Sequence, residues 1–226
     1  MKHVLRSLLV LVGGFLVLGS AQAQVRITEV DSTASGKSSY GFDWFELTNF
    51  GSTAVDITGW KMDDDSGNGG SASAAVALSG ITSIAAGQSV VFAEGGTASA
   101  FISNWFSAAH PQPTSFAFGI YTGSGVGLSS SGDAVNIFNA TGGLVTRVGI
   151  GSSGDFASFD NSAGANNVTL TTASIVGVNS AYAGLDTRVG SPGTYAAPVP
   201  LPAGIWLLGS GLGLLGGAIR RRRAAA

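Results

Sequence analysis

The chain contains no cysteine, only two histidines and few charged side chains, which make up 11% of its 226 residues. The missing cysteines exclude disulfides, thiol catalysis and cysteine-ligated metal sites. His110 is the only histidine beyond the first 23 residues, and no Gly-x-Ser-x-Gly, His-Glu-x-x-His or phosphate-binding loop occurs. We therefore expect no enzymatic activity, and a secreted hydrolase is the least favoured function.

The first 23 residues have the pattern of a secretory signal peptide. Cationic residues precede an apolar run from Leu8 to Leu18, and Ala21 and Ala23 mark a small-residue cleavage site. We expect the mature chain to begin at Gln24 and to be exported. An uncleaved membrane anchor is the alternative.

An uncharged apolar run from Ala203 to Ile219 lies near the C-terminus. As a helix it would be roughly 26 Å long, at the short end of the range that crosses a bilayer. Arginine clusters stay on the cytoplasmic side, so the following arginines predict a transmembrane helix that leaves the preceding chain outside. A buried core helix fits poorly, because the run has no polar face. The stop-transfer cluster consists of Arg220, Arg221, Arg222 and Arg223.

A short proline-containing motif lies at the start of this run, at Val199, Pro200, Leu201, Pro202 and Ala203. The prolines hold the backbone extended, a form that a processing enzyme can admit. Motif, apolar helix and arginine cluster, in that order, resemble the VPLPA form of the PEP-CTERM sorting signal. The resemblance implies that residues 199–226 are recognised by an exosortase. It also implies transient anchoring in the inner membrane and transfer to the cell surface or extracellular matrix.

Residues 24–198 remain as one domain of a size that suits a β-sandwich. Five cationic residues and all thirteen acidic residues of the chain fall in it, a net charge of about −8. Such a domain is repelled by phosphate backbones, so we expect no nucleic-acid partner.

Short runs rich in β-branched and aromatic residues, separated by glycine and asparagine turns, indicate an all-β sandwich. In the second run, Phe45 and Leu47 should face one side of the sheet and Trp44 the other. Strands are predicted at 25–30, 43–49, 55–62, 76–78, 89–93, 134–138, 144–148 and 168–170.

The segment from Thr97 to Ala108 has apolar residues at helical spacing, with Thr97 as N-cap. It predicts one short helix over an end of the sandwich. The serine- and glycine-rich stretches 66–75 and 149–167 are predicted to be long loops.

Six fragments in this domain, in order, resemble the lamin tail domain. The resemblance runs from about Val25 to Tyr195, and it implies an immunoglobulin-like β-sandwich that serves as an interaction module. The fragments are ITEV at 27–30, DWFELTN at 43–49, VDITGW at 55–60 followed by Asp63, IAAGQ at 84–88, LSSSGDAV at 128–135 and GSPGT at 190–194.

Acidic residues supply two candidate sites. Glu29 and Glu46 would form a catalytic pair only if they flanked a cleft, and the favoured interpretation is that strand glutamates bond to neighbouring backbone or a cation. Asp63, Asp64 and Asp65 present oxygens at the spacing of part of a calcium loop. The EF-hand glutamate is missing from the twelfth position, so a solvated acidic turn is preferred and no other cofactor is expected.

Three aromatic residues near a loop, Tyr40, Phe42 and Trp44, either stack on sugars or cover the end of the core. The sequence as a whole favours an exported, non-catalytic surface or matrix protein. Its expected partners, besides the exosortase-like enzyme, are an extracellular polysaccharide or another surface protein. A polysaccharide- or calcium-binding domain is the alternative.

Overall fold

The computed structural model describes residues 24–64, 70–152, 154 and 156–195. These residues form fourteen strands and one helix. None of the helical structure within them is long and apolar enough to span a membrane. The elements are β1 Val25–Asp31, β2 Trp44–Asn49, β3 Val55–Asp56, β4 Lys61–Asp63, β5 Val76–Ala77, β6 Ser83–Ile84, β7 Ser89–Glu94, α1 Ala98–Trp105, β8 Phe118–Tyr121, β9 Asp133–Phe138, β10 Leu144–Ile150, β11 Phe159–Asp160, β12 Val168–Leu170, β13 Tyr182–Ala183 and β14 Val189–Gly190.

Two five-stranded sheets contain most of the strands. The first has the order β11-β1-β2-β7-β8 and the second the order β12-β10-β9-β4-β5. Neighbouring strands are antiparallel except for the parallel pairs β7–β8 and β10–β12. Strands β3 and β6 form a small third sheet, and β13 and β14 a fourth. The prediction of a mostly β protein with one short helix is confirmed.

The inner faces of the two large sheets share one hydrophobic core. Phe45 and Leu47 of β2 lie in this core together with Val135 and Ile137 of β9, and all four are fully buried. Burying one such side chain stabilises the fold by about 1.5–3 kcal/mol. The alternation predicted for β2 is therefore confirmed on its inner side.

The outer face of the first sheet carries a second, aromatic core. Trp44 of β2 points to this face, where Phe101 and Trp105 of α1 cover it. The Trp44 ring centroid lies 5.6 Å from that of Phe101 and 5.9 Å from that of Trp105, both edge to face. The predicted helix exists, but it covers a sheet face and not an end, because Trp44 of β2 and Val91 and Ala93 of β7 make part of that face apolar.

The bounds of α1 follow its capping. The hydroxyl of Thr97 accepts a hydrogen bond from the amide of Ala100, as an N-cap does. Phe106 ends the helix in extended backbone. The predicted cap is confirmed, while the helix is three residues shorter at its C-terminus than predicted.

Two predictions along the chain were wrong. The single strand at 55–62 is split into β3 and β4, because Gly59 adopts a positive φ of 75° and turns the chain. The predicted loop at 149–167 contains the end of β10 and all of β11, which pairs with β1. Pairing with a distant strand set the conformation there, which a serine- and glycine-rich composition does not reveal.

Candidate functional site

Strands β1 and β2 place two glutamates side by side on the outer face of the first sheet. Glu29 and Glu46 are partners in the strand register, next to a bulge in β1. Their side chains are 2% and 0% exposed. Two neighbouring buried acids are rare in a protein interior, because a buried carboxylate is costly unless it is hydrogen-bonded or paired. The hydrogen-bond partners of Glu29 and Glu46 therefore decide how the pair is stabilised.

The Glu29 carboxylate is surrounded by hydroxyl and amide donors. The Ser158 hydroxyl donates to Oε1 at 2.5 Å. The Ser191 amide donates to Oε1 at 2.9 Å, and the Ser191 hydroxyl to Oε2 at 3.0 Å. Glu29 therefore attaches the chain around residue 191 to the first strand.

Glu46 makes the matching attachment two residues further along. The amide of Gly193 donates to Oε2 at 2.7 Å, and the Thr28 hydroxyl donates to Oε1 at 2.6 Å. Residues 190–194, here named the closing segment, are thus fastened to β1 and β2. The interpretation of strand glutamates bonded to backbone is confirmed, although the bonded amides are 162 and 147 positions away in sequence.

Burial changes the acidity of both carboxyl groups. Burial raises the pKa of Glu29 to about 7, against the hydrogen bonds from Ser158 and Ser191 that lower it. Burial, and then the charge of Glu29, raise the pKa of Glu46 well above its ordinary value. Like charges this close favour the sharing of a proton, so the pair is at least partly protonated near neutral pH.

A buried ion pair lies beside the two glutamates. Arg188 Nε donates to Asp31 Oδ2 at 2.9 Å and Nη2 donates to Oδ1 at 2.5 Å, with both side chains fully buried. Nη2 also donates to the Thr33 hydroxyl. Burial opposes the charge of Arg188, but the hydrogen bonds and charge of Asp31 outweigh it and raise the pKa of the guanidinium. Arg188 is thus a third fastening between β1 and the end of the domain.

The closing segment also borders an open groove of about 210 Å³. His110 is exposed there, and its ring stacks on Tyr182 with centroids 4.1 Å apart and planes 12° apart. Burial, and then the charges of Glu29 and Glu46, raise the pKa of the Tyr182 phenol, which places it in the field of the buried pair. The groove is lined by Phe106, Ala109, His110, Pro111, Pro113, Ser180, Tyr182, Pro192 and Thr194.

Alternate residues of the closing segment contact the buried glutamates and the open groove. Ser191 and Gly193 bond to the glutamates, whereas Pro192 and Thr194 line the groove. The glutamates are therefore shielded from anything bound in the groove. The groove offers flat aromatic and proline surfaces for contact, without an accessible pair of acids among its lining residues.

A family model described as Lamin Tail Domain matches residues 19–152, more than half of the chain. The chain belongs to the lamin tail domain family. No curated protein matches it. In this lamin tail domain the match includes β1 to β10, so both glutamates lie within it. The closing segment, which supplied the last fragment of the resemblance, lies outside the match.

The acidic stretch at 63–65, interpreted from the sequence as a solvated turn with a calcium loop as the alternative, is only partly described. Asp63 is buried, and its Oδ2 accepts a hydrogen bond from the amide of Ser71 at 2.5 Å. Asp64 is half-buried. Within the described ranges, no group of three or more histidine or acidic residues is placed to hold a metal ion. Asp65 lies outside those ranges, so calcium binding stays an untested alternative to a solvated turn.

Of the two interpretations of the aromatic residues near residue 40, stacking on sugars is wrong. Tyr40, Phe42 and Trp44 are at most 6% exposed, so the alternative that they cover a core is confirmed. They pack against Phe101 of α1, which no local pattern around residue 40 indicates. The exposed ring is instead that of His110, which stacks on the buried Tyr182, 72 positions away in sequence.

The remaining predicted sites lie outside the described residues and stay predictions. They are the signal cleavage site at Ala21 and Ala23, the motif at Val199, Pro200, Leu201, Pro202 and Ala203, and the cluster at Arg220, Arg221, Arg222 and Arg223.

Proposed function

We propose that this lamin tail domain is an exported, non-catalytic interaction module with an immunoglobulin-like sandwich fold. The signal peptide at 1–23 directs its export, and the helix at 203–219 anchors it briefly in the inner membrane. An exosortase-like enzyme then acts on residues 199–203 and moves the domain to the cell surface or the extracellular matrix.

The fastening of the closing segment is the observation that carries this proposal. Glu29, Glu46 and Asp31 bind the chain at residues 188–193 by buried contacts. The Tyr195 ring then packs on Phe50, with centroids 5.0 Å apart. Every one of these contacts precedes the motif in sequence, so a cut at 199–203 leaves the domain whole. Such an arrangement suits a module that loses its tail and keeps its fold.

Changing Pro200→Ala together with Pro202→Ala is expected to block removal of the tail. Without the prolines the segment continues the following helix and is no longer extended for the enzyme. In a host with an exosortase-like system, the double variant should accumulate uncut in the inner membrane. Membrane fractionation and mass spectrometry of the mature C-terminus measure this.

The matched control for that experiment is the double variant Pro111→Ala with Pro113→Ala, which removes two prolines from the folded domain. It should be processed like the unaltered chain. Tail removal at the same position in the Pro200→Ala, Pro202→Ala variant contradicts the proposal.

Polysaccharide binding in the groove is the second candidate function. The exposed ring of His110, held flat by stacking on the buried Tyr182, provides a face of the kind on which a sugar ring packs. Another surface protein is the alternative partner. The groove itself, and not the buried aromatics near residue 40, is the place to test.

His110→Ala is expected to weaken glycan binding about tenfold, the loss of roughly 1.4 kcal/mol of contact. Titration calorimetry with neutral glycans, with and without calcium, measures this. Gln112→Ala, at an exposed neighbouring position outside the groove lining, is the control. If the unaltered protein gives no heat with any glycan, glycan binding is rejected. If the protein turns over generic ester, phosphate or glycoside substrates, the domain is a hydrolase and the non-catalytic proposal is wrong.

A further inference from the structure

A short loop exposes three large aliphatic side chains within four positions. Ile175, Val176 and Val178 are 60%, 59% and 46% exposed. In the part of the chain that the structure describes, only four other large hydrophobic side chains are exposed, and they are dispersed in sequence. No charged residue occurs between Asp160 and Asp186. An uncharged loop with an aliphatic tip marks an interaction surface.

Hydrogen bonds within the loop fix the conformation in which these three side chains are exposed. The amide of Val178 donates to the Ile175 carbonyl, and the amide of Ala181 donates to the Val178 carbonyl, both at 2.9 Å. Asn179 and Ser180 adopt positive φ values of 48° and 67°. Non-glycine residues enter that region at a cost, so the loop has a defined shape that keeps its apolar tip outward.

The loop lies close to the place where the described chain ends. Ser180, two residues after Val178, lines the same groove as Thr194. Seven residues separate Tyr195 from Ala203, where the apolar run of the tail begins, and the eight residue steps between these two span at most about 28 Å when extended. A helix inserted in a bilayer would therefore hold the domain within that distance of the lipid.

We propose that the loop at 175–178 contacts the lipid surface while the tail is anchored. This inference rests on the proposed function. Aliphatic side chains enter the interfacial layer of a bilayer and lose contact with water. The loop itself adds no charge to a domain whose net charge is about −8, so no charged side chain has to be desolvated when its tip meets the lipid. The contact would hold residues 199–203 at the bilayer surface, where a membrane-embedded enzyme meets them.

The absence of cysteine makes the test direct, because Val178→Cys introduces a single labelling site. The full chain, labelled there with an environment-sensitive fluorophore, is reconstituted into phosphatidylcholine vesicles. A blue shift is expected, with loss of intensity when the vesicles contain quencher-bearing lipids. Thr141→Cys, in an exposed turn between β9 and β10, is the control and should show neither change.

Flotation of the vesicles separates the two hypotheses. Protein that floats with the vesicles but shows no shift at position 178 overturns the loop inference and leaves the anchored tail standing. If the protein does not float with the vesicles, the tail does not anchor it, and both the anchoring hypothesis and the loop inference are rejected. A shift that appears without vesicles and grows with protein concentration assigns the loop to a second copy of the chain and overturns the lipid contact.

Discussion

Replacing Arg188 with methionine is expected to lower the free energy of unfolding by about 3–5 kcal/mol. The change leaves the Asp31 carboxylate buried without its guanidinium partner, and both side chains are fully buried in the unaltered protein. The penalty comes from the uncompensated charge and not from lost volume, since methionine fills most of the same space. Urea denaturation followed by tryptophan fluorescence measures it, with Trp44 and Trp105 as buried reporters.

The double variant Asp31→Leu with Arg188→Met is the matched control. It removes both charges together, so it should recover much of the stability that Arg188→Met alone loses. A single variant as stable as the unaltered chain would show that Arg188 does not fasten the end of the domain. Equal losses in the single and double variants would assign the effect to packing.

Raising the pH from 4.5 through 7 is expected to destabilise the domain. The folded-state pKa of Glu29 lies at about 7, above its ordinary 4.5, chiefly because of burial. The folded state therefore holds its proton more tightly than the unfolded state does. The stability gained in this way is present below pH 4.5 and is lost as the pH rises through about 7. A shift of this size corresponds to a loss of roughly 3 kcal/mol.

Other acidic groups also change the stability in this pH range, and their effects must be separated from that of Glu29. Burial also raises the pKa of Asp43 to about 7, so Asp43 contributes with the same sign. Asp160 faces the pair as well and adds to the raised pKa of Glu29. The change in the free energy of unfolding with pH, measured for the unaltered chain, is therefore the sum of these effects. This change is called the slope below.

Glu46→Gln isolates the contribution of the pair. It removes the like charge beside Glu29, so the variant should lose less stability between pH 4.5 and 8 than the unaltered chain. Asp43→Asn should reduce the slope independently, and the exposed Asp56→Asn should leave it unchanged. Urea denaturation at a series of pH values measures all four proteins. A slope unaltered by Glu46→Gln contradicts the coupling of the two glutamates.

Elements with a strong local pattern could be predicted from the sequence. Strand β2 was found because apolar Phe45 and Leu47 alternate with residues that face the other side of the sheet, beginning with Trp44. Helix α1 was found because Phe101 and Trp105 are one turn apart and Thr97 caps them. In each case one short window of sequence contains the cause of the structure.

Elements that depend on distant partners could not be predicted. Strands β11, β13 and β14 have two residues each, too few to show a period. They exist because β1 or a neighbouring segment supplies the pairing. The candidate site follows the same rule. The sequence singled out Glu29 and Glu46, and it marked residues 190–194 only as a fragment of the family resemblance. It did not indicate that the amides of Ser191 and Gly193 bind the two glutamates.

The groove shows the same limitation for binding surfaces. Tyr40 and Tyr182 look alike in sequence, each in a small-residue context, yet one is covered by α1 and the other stacks under an exposed histidine. Both tyrosines are buried, and which of them borders the groove depends on the packing of distant segments, which local patterning does not specify.

The contacts of the closing segment link the earliest part of the domain to its latest. Strands β1 and β2 come first in the sequence, yet their buried Glu29, Asp31 and Glu46 gain partners from residues 188–193, more than 140 positions later. A long loop must close before such contacts can form, which slows folding. A chain that still lacks residues 188–193 cannot complete these buried contacts. If the domain is exported as we propose, it would stay open during transfer and close only after its last strand has crossed the membrane.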